Sequence, residues 1–171
     1  VVLRSTPKVK FTVQAQVPYV FVGTPLQLAA YTSKVSMLPV LKDLGVDLKF
    51  AGKSPRGGPG KPPMHVGVES GHLEVVRWFI DEGGLDPNVP AGEQGCIALQ
   101  IAAHYGNSEM VEWLLRETDS SPRVRDINGR VALHFAANQG DLAIVKKLLK
   151  KWRGARSARD LDGATPGELA A

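Results

Sequence analysis

The chain has 171 residues, of which 43% are hydrophobic, and its formal net charge is +4. This is enough apolar material for one packed domain, and no apolar run approaches the ~20 residues that a membrane-spanning helix needs. Cys96 is the only cysteine, which excludes an internal disulfide and a cysteine-rich zinc site.

The first segment, residues 1–22, contains a pattern of period two. From Val9 to Val17, apolar residues alternate with Lys, Thr and Gln, which predicts a β-strand with one buried face. A single strand must pair its backbone with another strand. Three arrangements are open: the strand pairs with residues 19–22 and caps the domain that follows, it adds to the sheet edge of a partner protein, or it lies extended on another surface.

From residue 23 onward, the sequence repeats. An apolar anchor recurs at offsets of 38, 35 and 34 residues: Leu26, Met64, Leu99 and Leu133. A second apolar pattern, Ile144-Val145 with Leu148-Leu149 in the last full copy, recurs at the same offsets. Two independent patterns at one period indicate two short helices, packed back to back, in each unit.

The repeated core resembles the ankyrin family, whose units have a period in the low thirties and a T-P-L-H-x-A motif. The best copies are Thr24-Pro25-Leu26-Gln27-Leu28-Ala29-Ala30 and Ala132-Leu133-His134-Phe135-Ala136-Ala137. The resemblance implies an all-α repeat solenoid, a helix-turn-helix stack with β-turn fingers, here with a short N-terminal β-strand extension. It places an ankyrin-repeat domain at 23–171, with repeats at about 23–51, 60–90, 95–121 and 129–156 and a partial repeat at 163–171.

The first unit departs from the family pattern between its two helices, which we expect near residues 25–32 and 36–44. Ser33 stands where the family usually has glycine, and we therefore expect a less regular turn. Ser36 is a candidate N-cap for the second helix, which leaves Pro39 in the first turn, where proline is tolerated.

A Gly/Pro-rich insertion, residues 52–61, lengthens the first offset to 38 residues. Its only charged residues are Lys53, Arg56 and Lys61, and its composition predicts an irregular loop. It is either a tolerated surface insertion or a loop that contacts a partner.

Catalytic and metal-binding patterns are missing from the sequence. His65 and His134 occupy the T-P-L-H position, where the resemblance implies a structural hydrogen bond, and no two histidines have the i, i+4 spacing of metal ligands on one helix. The prolines of the insertion remove N–H donors that a phosphate-binding loop needs. We therefore expect no enzymatic activity, no catalytic residue, no cofactor, no metal and no small-molecule substrate.

The resemblance implies that the stack binds a protein through a concave surface made of the fingers and the first helix of each pair. The positions that packing does not require follow the paired small residues or lie in the fingers. The predicted protein-binding residues are Tyr31, Thr32, Glu69, Ser70, Glu93, Gln94, His104, Tyr105, Ile127, Asn128, Arg130, Asn138 and Gln139. The expected function is a non-enzymatic scaffold or adaptor that acts as a subunit of a larger assembly.

A basic segment, residues 146–159, supports an alternative. Its cations are Lys146, Lys147, Lys150, Lys151, Arg153, Arg156 and Arg159. They form a solvated convex face that suits a helix C-terminus, or they bind an acidic protein, or they bind the phosphate groups of nucleic acid or lipid.

The sequence predicts an intracellular protein, soluble or peripherally bound, and cytoplasmic by default. An organelle stays open because the chain begins at Val1 rather than Met, as it would if a targeting segment had been removed.

Overall fold

The computed structural model describes residues 23–52 and 60–170. The predicted strand from Val9 to Val17 and most of the predicted insertion lie outside the described residues. The helices of the described part are α1 Pro25–Tyr31, α2 Met37–Asp43, α3 Pro63–Glu69, α4 Leu73–Asp81, α5 Ala98–His104, α6 Ser108–Glu117, α7 Ala132–Asn138, α8 Leu142–Lys151, α9 Pro166–Leu169 and a 3-10 helix, Arg153–Ser157.

The helices form two layers. In the first-helix layer, α1 packs on α3, α3 on α5, α5 on α7 and α7 on α9. The second-helix layer consists of α2, α4, α6 and α8, each packed against the helix before it. The predicted all-α repeat solenoid is confirmed.

The apolar anchors of the sequence build the core between the layers. The four anchors of the first helices are at most 4% exposed, and the alanines that follow them are buried as well. Gly67 stands in the second unit where other units have alanine. A Cβ atom on Gly67 would lie 2.8 Å from Cγ1 of Val75, so α3 and α4 approach too closely for any side chain there.

At the glycine position, the turn between the two helices has the same geometry in the first unit as in the later ones. Ser33 has φ +56°, close to φ +76° at Gly71. The next N–H donates to the carbonyl five residues back in both units, from Lys34 to Ala29 and from His72 to Gly67, at 2.9 Å each. The expectation of a less regular turn was therefore wrong at Ser33 itself, but α2 begins four residues after Ser33, whereas α4 begins two residues after Gly71. The serine keeps the turn in a conformation that favours glycine.

Ser36 precedes α2 but its side chain makes no capping hydrogen bond, contrary to the expectation from its residue type. The reason is its backbone, which already has helical angles, φ −62° and ψ −20°. An N-cap whose side chain reaches back to the helix N–H groups has an extended backbone instead, as Thr24 has before α1.

The ends of the insertion meet beneath α1. Gly60 donates its N–H to the carbonyl of Gly52 at 3.3 Å. Nε2 of the buried Gln27 donates to the carbonyls of Ala51 at 3.1 Å and Lys61 at 2.7 Å. One side chain of the T-P-L-H position thus holds both ends of the insertion.

Candidate functional site

Three finger loops stand side by side: 91–96, 126–130 and 160–164. Each is closed at its base by backbone hydrogen bonds, such as the pair between Ala91 and Cys96. Adjacent fingers are also joined, because the N–H of Ile127 donates to the carbonyl of Gln94 at 3.1 Å and the N–H of Leu161 donates to that of Asn128 at 2.9 Å. The fingers therefore form a continuous row.

Side chains at the T-P-L-H position fasten this row to the first helices. Nε2 of Gln100 donates to the carbonyls of Val124 at 3.1 Å and Arg130 at 2.9 Å. His134 bonds through Nε2 to the carbonyl of Ala164 at 3.3 Å. His65 bonds in the same way to that of Val89 at 3.0 Å. The predicted structural role of these two histidines is confirmed.

A groove of about 650 Å³ runs between the row of fingers and the helices α5 and α7. Predicted protein-binding residues from two fingers and two helices line it: Glu93, Gln94, His104, Tyr105, Asn128, Arg130 and Asn138. The repeat therefore brings residues from distant parts of the sequence to one concave site.

Arg130 forms a rigid part of the groove wall. Its guanidinium lies 2.7 Å from a carboxylate oxygen of Asp126 and donates to Oε1 of Gln94 at 2.7 Å. Its Cζ atom is 4.6 Å from the ring centroid of Phe135, within the range of a cation–π contact. The Asp126 side chain is fully buried, whereas the Arg130 side chain is 29% exposed. The carboxylate of this ion pair therefore lies in the protein interior, and its guanidinium faces the groove.

An aromatic group occupies the helical side of the groove. The His104 ring meets Tyr105 edge-on, with centroids 5.1 Å apart, and Phe135 edge-on at 6.0 Å. Tyr105 is 48% exposed. Partly exposed aromatic rings with polar atoms are typical of protein-binding surfaces.

Glu69 links this aromatic group to the insertion. It accepts hydrogen bonds from the Tyr105 hydroxyl and from Nζ of Lys61, the latter at 2.6 Å. Burial opposes ionisation of Glu69, but these bonds outweigh it and hold its pKa below the ordinary value. Burial, with the hydrogen bond to Glu69, raises the pKa of Tyr105 to about 12. At neutral pH Glu69 is therefore a carboxylate and Tyr105 a neutral phenol.

The other predicted residues lie outside the groove lining: Tyr31, Thr32, Glu69, Ser70, Ile127 and Gln139. Ile127 is 60% exposed at the tip of the second finger. Gln139 extends the surface past His104, with its Nε2 3.4 Å from Nδ1 of that ring. Tyr31 and Thr32 are exposed on the first unit, two units away from α5.

The basic segment is only partly available. Nζ of Lys147 is 2.8 Å from a carboxylate oxygen of Glu112 and donates to the Ser108 carbonyl. Lys151 donates to the Leu115 carbonyl at 2.7 Å, and Arg159 to that of Gly163 at 2.5 Å. The expectation that Lys147 lies on the outer face with its neighbours was wrong, because its side chain reaches back to α6. The cations left exposed in this segment without a described partner are Lys146, Lys150, Arg153 and Arg156.

Metal ligation and thiol reactivity were two possibilities for the part of the chain that the structure describes. No group of three or more His, Cys, Asp and Glu side chains there is placed to hold a metal ion. Burial raises the pKa of the Cys96 thiol to about 11, so it is protonated at neutral pH and a poor nucleophile. No helix among residues 23–52 and 60–170 has the length and hydropathy to cross a membrane.

Two family models match most of the region with this geometry. A model described as "Ankyrin repeats (many copies)" matches residues 64–115, and the model "Ankyrin repeat" matches residues 128–161. The chain belongs to the ankyrin-repeat family. Ankyrin repeats generally mediate protein–protein interaction and are typically non-enzymatic.

Several known proteins are similar to parts of this chain. "BTB/POZ domain and ankyrin repeat-containing protein NOOT2" of Medicago truncatula is 38% identical over 66 residues, which are 39% of this chain and 13% of that protein. "Regulatory protein NPR5" of Arabidopsis thaliana is 39% identical over 66 residues, with the same coverage of both chains. "Alpha-latroinsectotoxin-Lt1a" of Latrodectus tredecimguttatus is 30% identical over 95 residues, 56% of this chain and 6% of that toxin. The matched region is a small fraction of each relative.

Several groove residues were not predicted from the sequence. Phe135, Asp160 and Asp162 line the groove, and Asp126 fixes Arg130 in its wall. The sequence does contain a pattern that could have identified the acidic residues. Asp126-Ile-Asn-Gly and Asp160-Leu-Asp-Gly repeat the same arrangement in two fingers, 34 residues apart. In this pattern the first aspartate accepts a later backbone N–H, at Arg130 or Ala164, each at 2.8 Å.

Proposed function

We propose that this ankyrin-repeat chain is a non-enzymatic interaction module that holds an extended segment of a protein partner in the groove between the fingers and α5 and α7. The observation that carries the proposal is the convergence of residues from two units on one concave surface. The row of fingers on one side and the helices on the other leave a channel between them. The channel runs along the stack, so that an extended peptide can lie in it.

The lining suits a peptide rather than a small molecule. Amide side chains of Gln94, Asn128 and Asn138 offer both donors and acceptors, which a peptide backbone needs in alternation. His104 and Tyr105 offer ring surface for side chains of the peptide. The contacts of Arg130 with Asp126, Gln94 and Phe135 hold one wall in place before binding, which reduces the entropy lost on association.

A regulatory or adaptor role is supported by the similarity to "Regulatory protein NPR5" and by the ankyrin-repeat family. Relatives such as "Regulatory protein NPR5" are much longer, and the matched region is 13% of that protein. We therefore propose that the chain acts as one interaction module within a larger assembly.

The test is capture of partners from a native extract at low and high salt with nuclease present, followed by crosslinking mass spectrometry. The variants His104→Ala and Asn138→Ala each remove one exposed side chain that lines the groove. Glu109→Ala, on an exposed position of α6, is the matched control. We expect salt-resistant capture that the groove variants reduce by about tenfold and the control leaves unchanged. If His104→Ala and Asn138→Ala capture as much partner as the control Glu109→Ala does, the proposal is contradicted.

The alternative, an electrostatic binder of an anionic surface, is supported by the four exposed cations of the basic segment. It predicts capture that disappears with salt and that is insensitive to His104 and Asn138. Dependence on nuclease or on lipid removal would identify a phosphate ligand. The same experiment therefore separates the two functions.

A further inference from the structure

The second and third fingers share one backbone arrangement but differ in one side chain. In both, Oδ1 of the first aspartate accepts the N–H four residues later at 2.8 Å, from Arg130 to Asp126 and from Ala164 to Asp160. The N–H of each aspartate donates to the carbonyl of that same later residue at 3.0 Å. The position that carries a guanidinium in the second finger therefore carries only a methyl group in the third.

In the second finger, the other carboxylate oxygen binds the arginine. Oδ2 of Asp126 accepts from Nε of Arg130 at 2.9 Å and lies 2.7 Å from Nη2. In the third finger, Oδ2 of Asp160 accepts no hydrogen bond from the described residues, because the side chain of Ala164 has no donor. Asp160 is half-buried, whereas Asp126 is buried beside its arginine. The Asp160 carboxylate is therefore held in the same way but is open to solvent.

The place that a guanidinium would fill next to this carboxylate lies within the described part of the stack. Every described contact of the Arg130 guanidinium is with its own unit or with the preceding finger, where Gln94 accepts from it at 2.7 Å. The residue equivalent to Gln94 is Asn128, whose Nδ2 donates to Gln94 at 3.1 Å, so that its Oδ1 is available as an acceptor. Leu169 follows Phe135, the ring beside Arg130, by 34 residues, and both line the groove. The equivalent place is therefore bounded by the second finger and by the third unit itself.

The charges of the groove favour a cationic group in this place. The cations that line the groove, Lys61 and Arg130, are already paired with carboxylates. The carboxylates that line it have no cationic partner among the described residues: Glu93, Asp160 and Asp162. The unpaired side-chain charges of the groove are therefore negative, and a positive charge on the bound segment would be attracted to them.

We propose that the third finger binds an arginine side chain of the partner segment, in the place that Arg130 fills in the second finger. The inference rests on the groove function proposed above and names the side chain that anchors the segment there. The guanidinium donates to Oδ2 of Asp160 and to Oδ1 of Asn128, and its aliphatic stem packs on Leu169. Asp162, exposed in the same finger, adds a second carboxylate. The partner thereby completes a contact that the chain makes within itself one unit earlier.

Arginine fits this place better than lysine does. The two acceptors belong to different fingers, and a planar guanidinium presents several N–H groups in a fixed fork. Arg130 uses this fork with Asp126 and Gln94. A lysine ammonium is a compact, strongly hydrated charge without the fork, so we expect it to bind more weakly at the third finger.

The first step of the test is a selection from a library of random peptides of about 12 residues displayed on phage. The library is selected on the full chain, and the enriched peptides are then tested on His104→Ala. We expect the wild type to enrich peptides with an arginine at one fixed position, and these peptides to bind His104→Ala more weakly. A parallel selection on Ala164→Arg should enrich peptides without that arginine, because the introduced guanidinium pairs with Asp160.

The second step measures the best peptide by fluorescence anisotropy. Replacement of its arginine by citrulline, which has nearly the same shape but no charge, should weaken binding to the wild type at least about tenfold. Asp160→Asn should weaken binding of the arginine peptide by a similar factor, and citrulline should then cost no more than about twofold in that variant. Asp160→Asn keeps an oxygen that can accept the Ala164 N–H, so its circular dichroism should match the wild type.

Asp86→Asn is the matched control for Asp160→Asn. Asp86 also accepts a backbone N–H of its own turn, that of Asn88 at 2.8 Å, but it lies outside the groove lining. The Asp86→Asn variant should bind the arginine peptide as tightly as the wild type does.

The outcomes distinguish the groove function from the arginine site. If no peptide is enriched, or if the enriched peptides bind His104→Ala as tightly as the wild type, the groove function is contradicted and the arginine site with it. If the peptides depend on His104 but have no fixed arginine, the groove function stands and the arginine site is wrong. Equal losses on citrulline replacement in the wild type and in Asp160→Asn would also overturn the arginine site, because the arginine would then bind elsewhere.

Discussion

His65 lies three residues after Pro62, and a hydrogen bond that the other units make between these two positions is missing here. In those units the backbone N–H at the N-cap donates to the side chain three residues on, from Thr24 to Gln27 at 2.7 Å, for example. The same bond recurs in the later pairs Ile97–Gln100, Val131–His134 and Thr165–Glu168. Pro62 has no N–H, and the buried Nδ1 of His65 finds no partner among the described residues.

Pro62→Thr should stabilise the domain. Pro62 has φ −55° and ψ 151°, which threonine adopts without strain, and the new N–H can donate to Nδ1 of His65. Satisfying a buried acceptor contributes about 1 kcal/mol, and a threonine cap adds a similar amount, while loss of the proline costs about 0.4–1 kcal/mol through the unfolded state. We expect a net gain of about 1 kcal/mol in the free energy of unfolding, measured by urea denaturation.

The control is Pro90→Thr, at an exposed proline of the first finger region that has no T-P-L-H side chain three residues after it. It should show only the loss of proline rigidity. If the two variants change the free energy of unfolding equally, the unpaired Nδ1 of His65 does not reduce the stability of the domain.

His65 should also make stability depend on pH. Burial, only partly offset by the hydrogen bond to Val89, lowers the pKa of His65 to about 4 from the ordinary value near 6.5. Below pH 6.5 the unfolded chain binds a proton that the folded chain does not, so stability is complete above pH 6.5 and falls between pH 6.5 and 4. The full difference is about 3 kcal/mol at 1.36 kcal/mol per pH unit.

The measurement compares the wild type with His65→Gln by urea denaturation at pH 7.5 and pH 5. Gln occupies the same position in two other units, as Gln27 and Gln100, and does not titrate. The variant should therefore lose less stability at pH 5 than the wild type. An equal loss in the two proteins would assign the pH dependence to other groups.

The fold was predictable because its signals are local and repeated. The anchors Leu26, Met64, Leu99 and Leu133 predict the core, and the T-P-L-H position predicts a structural hydrogen bond for its histidines. The structure confirms both. The conformation of Ser33 was not predictable from residue type, since backbone hydrogen bonds at both ends of the turn impose the left-handed angles. Residue propensity is a weaker constraint than these bonds.

The groove was predictable only by repeat position. Those positions identify Gln94, Asn128 and Arg130 as finger residues, but not which of them bond to one another across repeats. Lys147 shows the same limit. The nearby Lys146 and Lys150 are exposed, and only the packing of α8 on α6 turns the Lys147 side chain toward Glu112. Sequence periodicity assigns a residue to a helix face, and contacts between units decide whether that side chain is free.

Ser33→Gly should stabilise the first unit. Ser33 has φ +56°, a conformation that costs a residue with a Cβ atom roughly 1–2 kcal/mol. Glycine removes that cost. It also gives the unfolded chain more conformational freedom, which destabilises the folded state by about 0.4–1 kcal/mol. We expect a net gain of about 0.5–1 kcal/mol by urea denaturation. The reverse change, Gly71→Ser at φ +76°, should destabilise by a similar amount, and a stabilising Gly71→Ser would refute the argument.

Asp126→Asn should loosen the wall of the groove. The Asp126 side chain is fully buried and its carboxylate accepts the backbone N–H groups of Asn128 at 3.0 Å and Arg130 at 2.8 Å, besides the Arg130 guanidinium. An asparagine can still accept at one oxygen, but its amide group then faces a guanidinium that has lost its counter-charge. Breaking a buried pair in this way costs about 3 kcal/mol, which urea denaturation would detect.

The matched control for Asp126→Asn is Asp86→Asn. Asp86 accepts the N–H of Asn88 at 2.8 Å in the same local turn, but it is exposed and no described arginine pairs with it. The Asp86→Asn variant should lose less than about 1 kcal/mol of its free energy of unfolding, because water solvates the exposed groups that the carboxylate contacts. Amide hydrogen exchange gives the local result: Asp126→Asn should speed exchange at Ile127 and Leu161, whose N–H groups join the fingers, and Asp86→Asn should not. If Asp126→Asn leaves exchange at both amides unchanged, the finger row does not depend on the Asp126–Arg130 pair, and the wall of the groove is held by the T-P-L-H side chains alone.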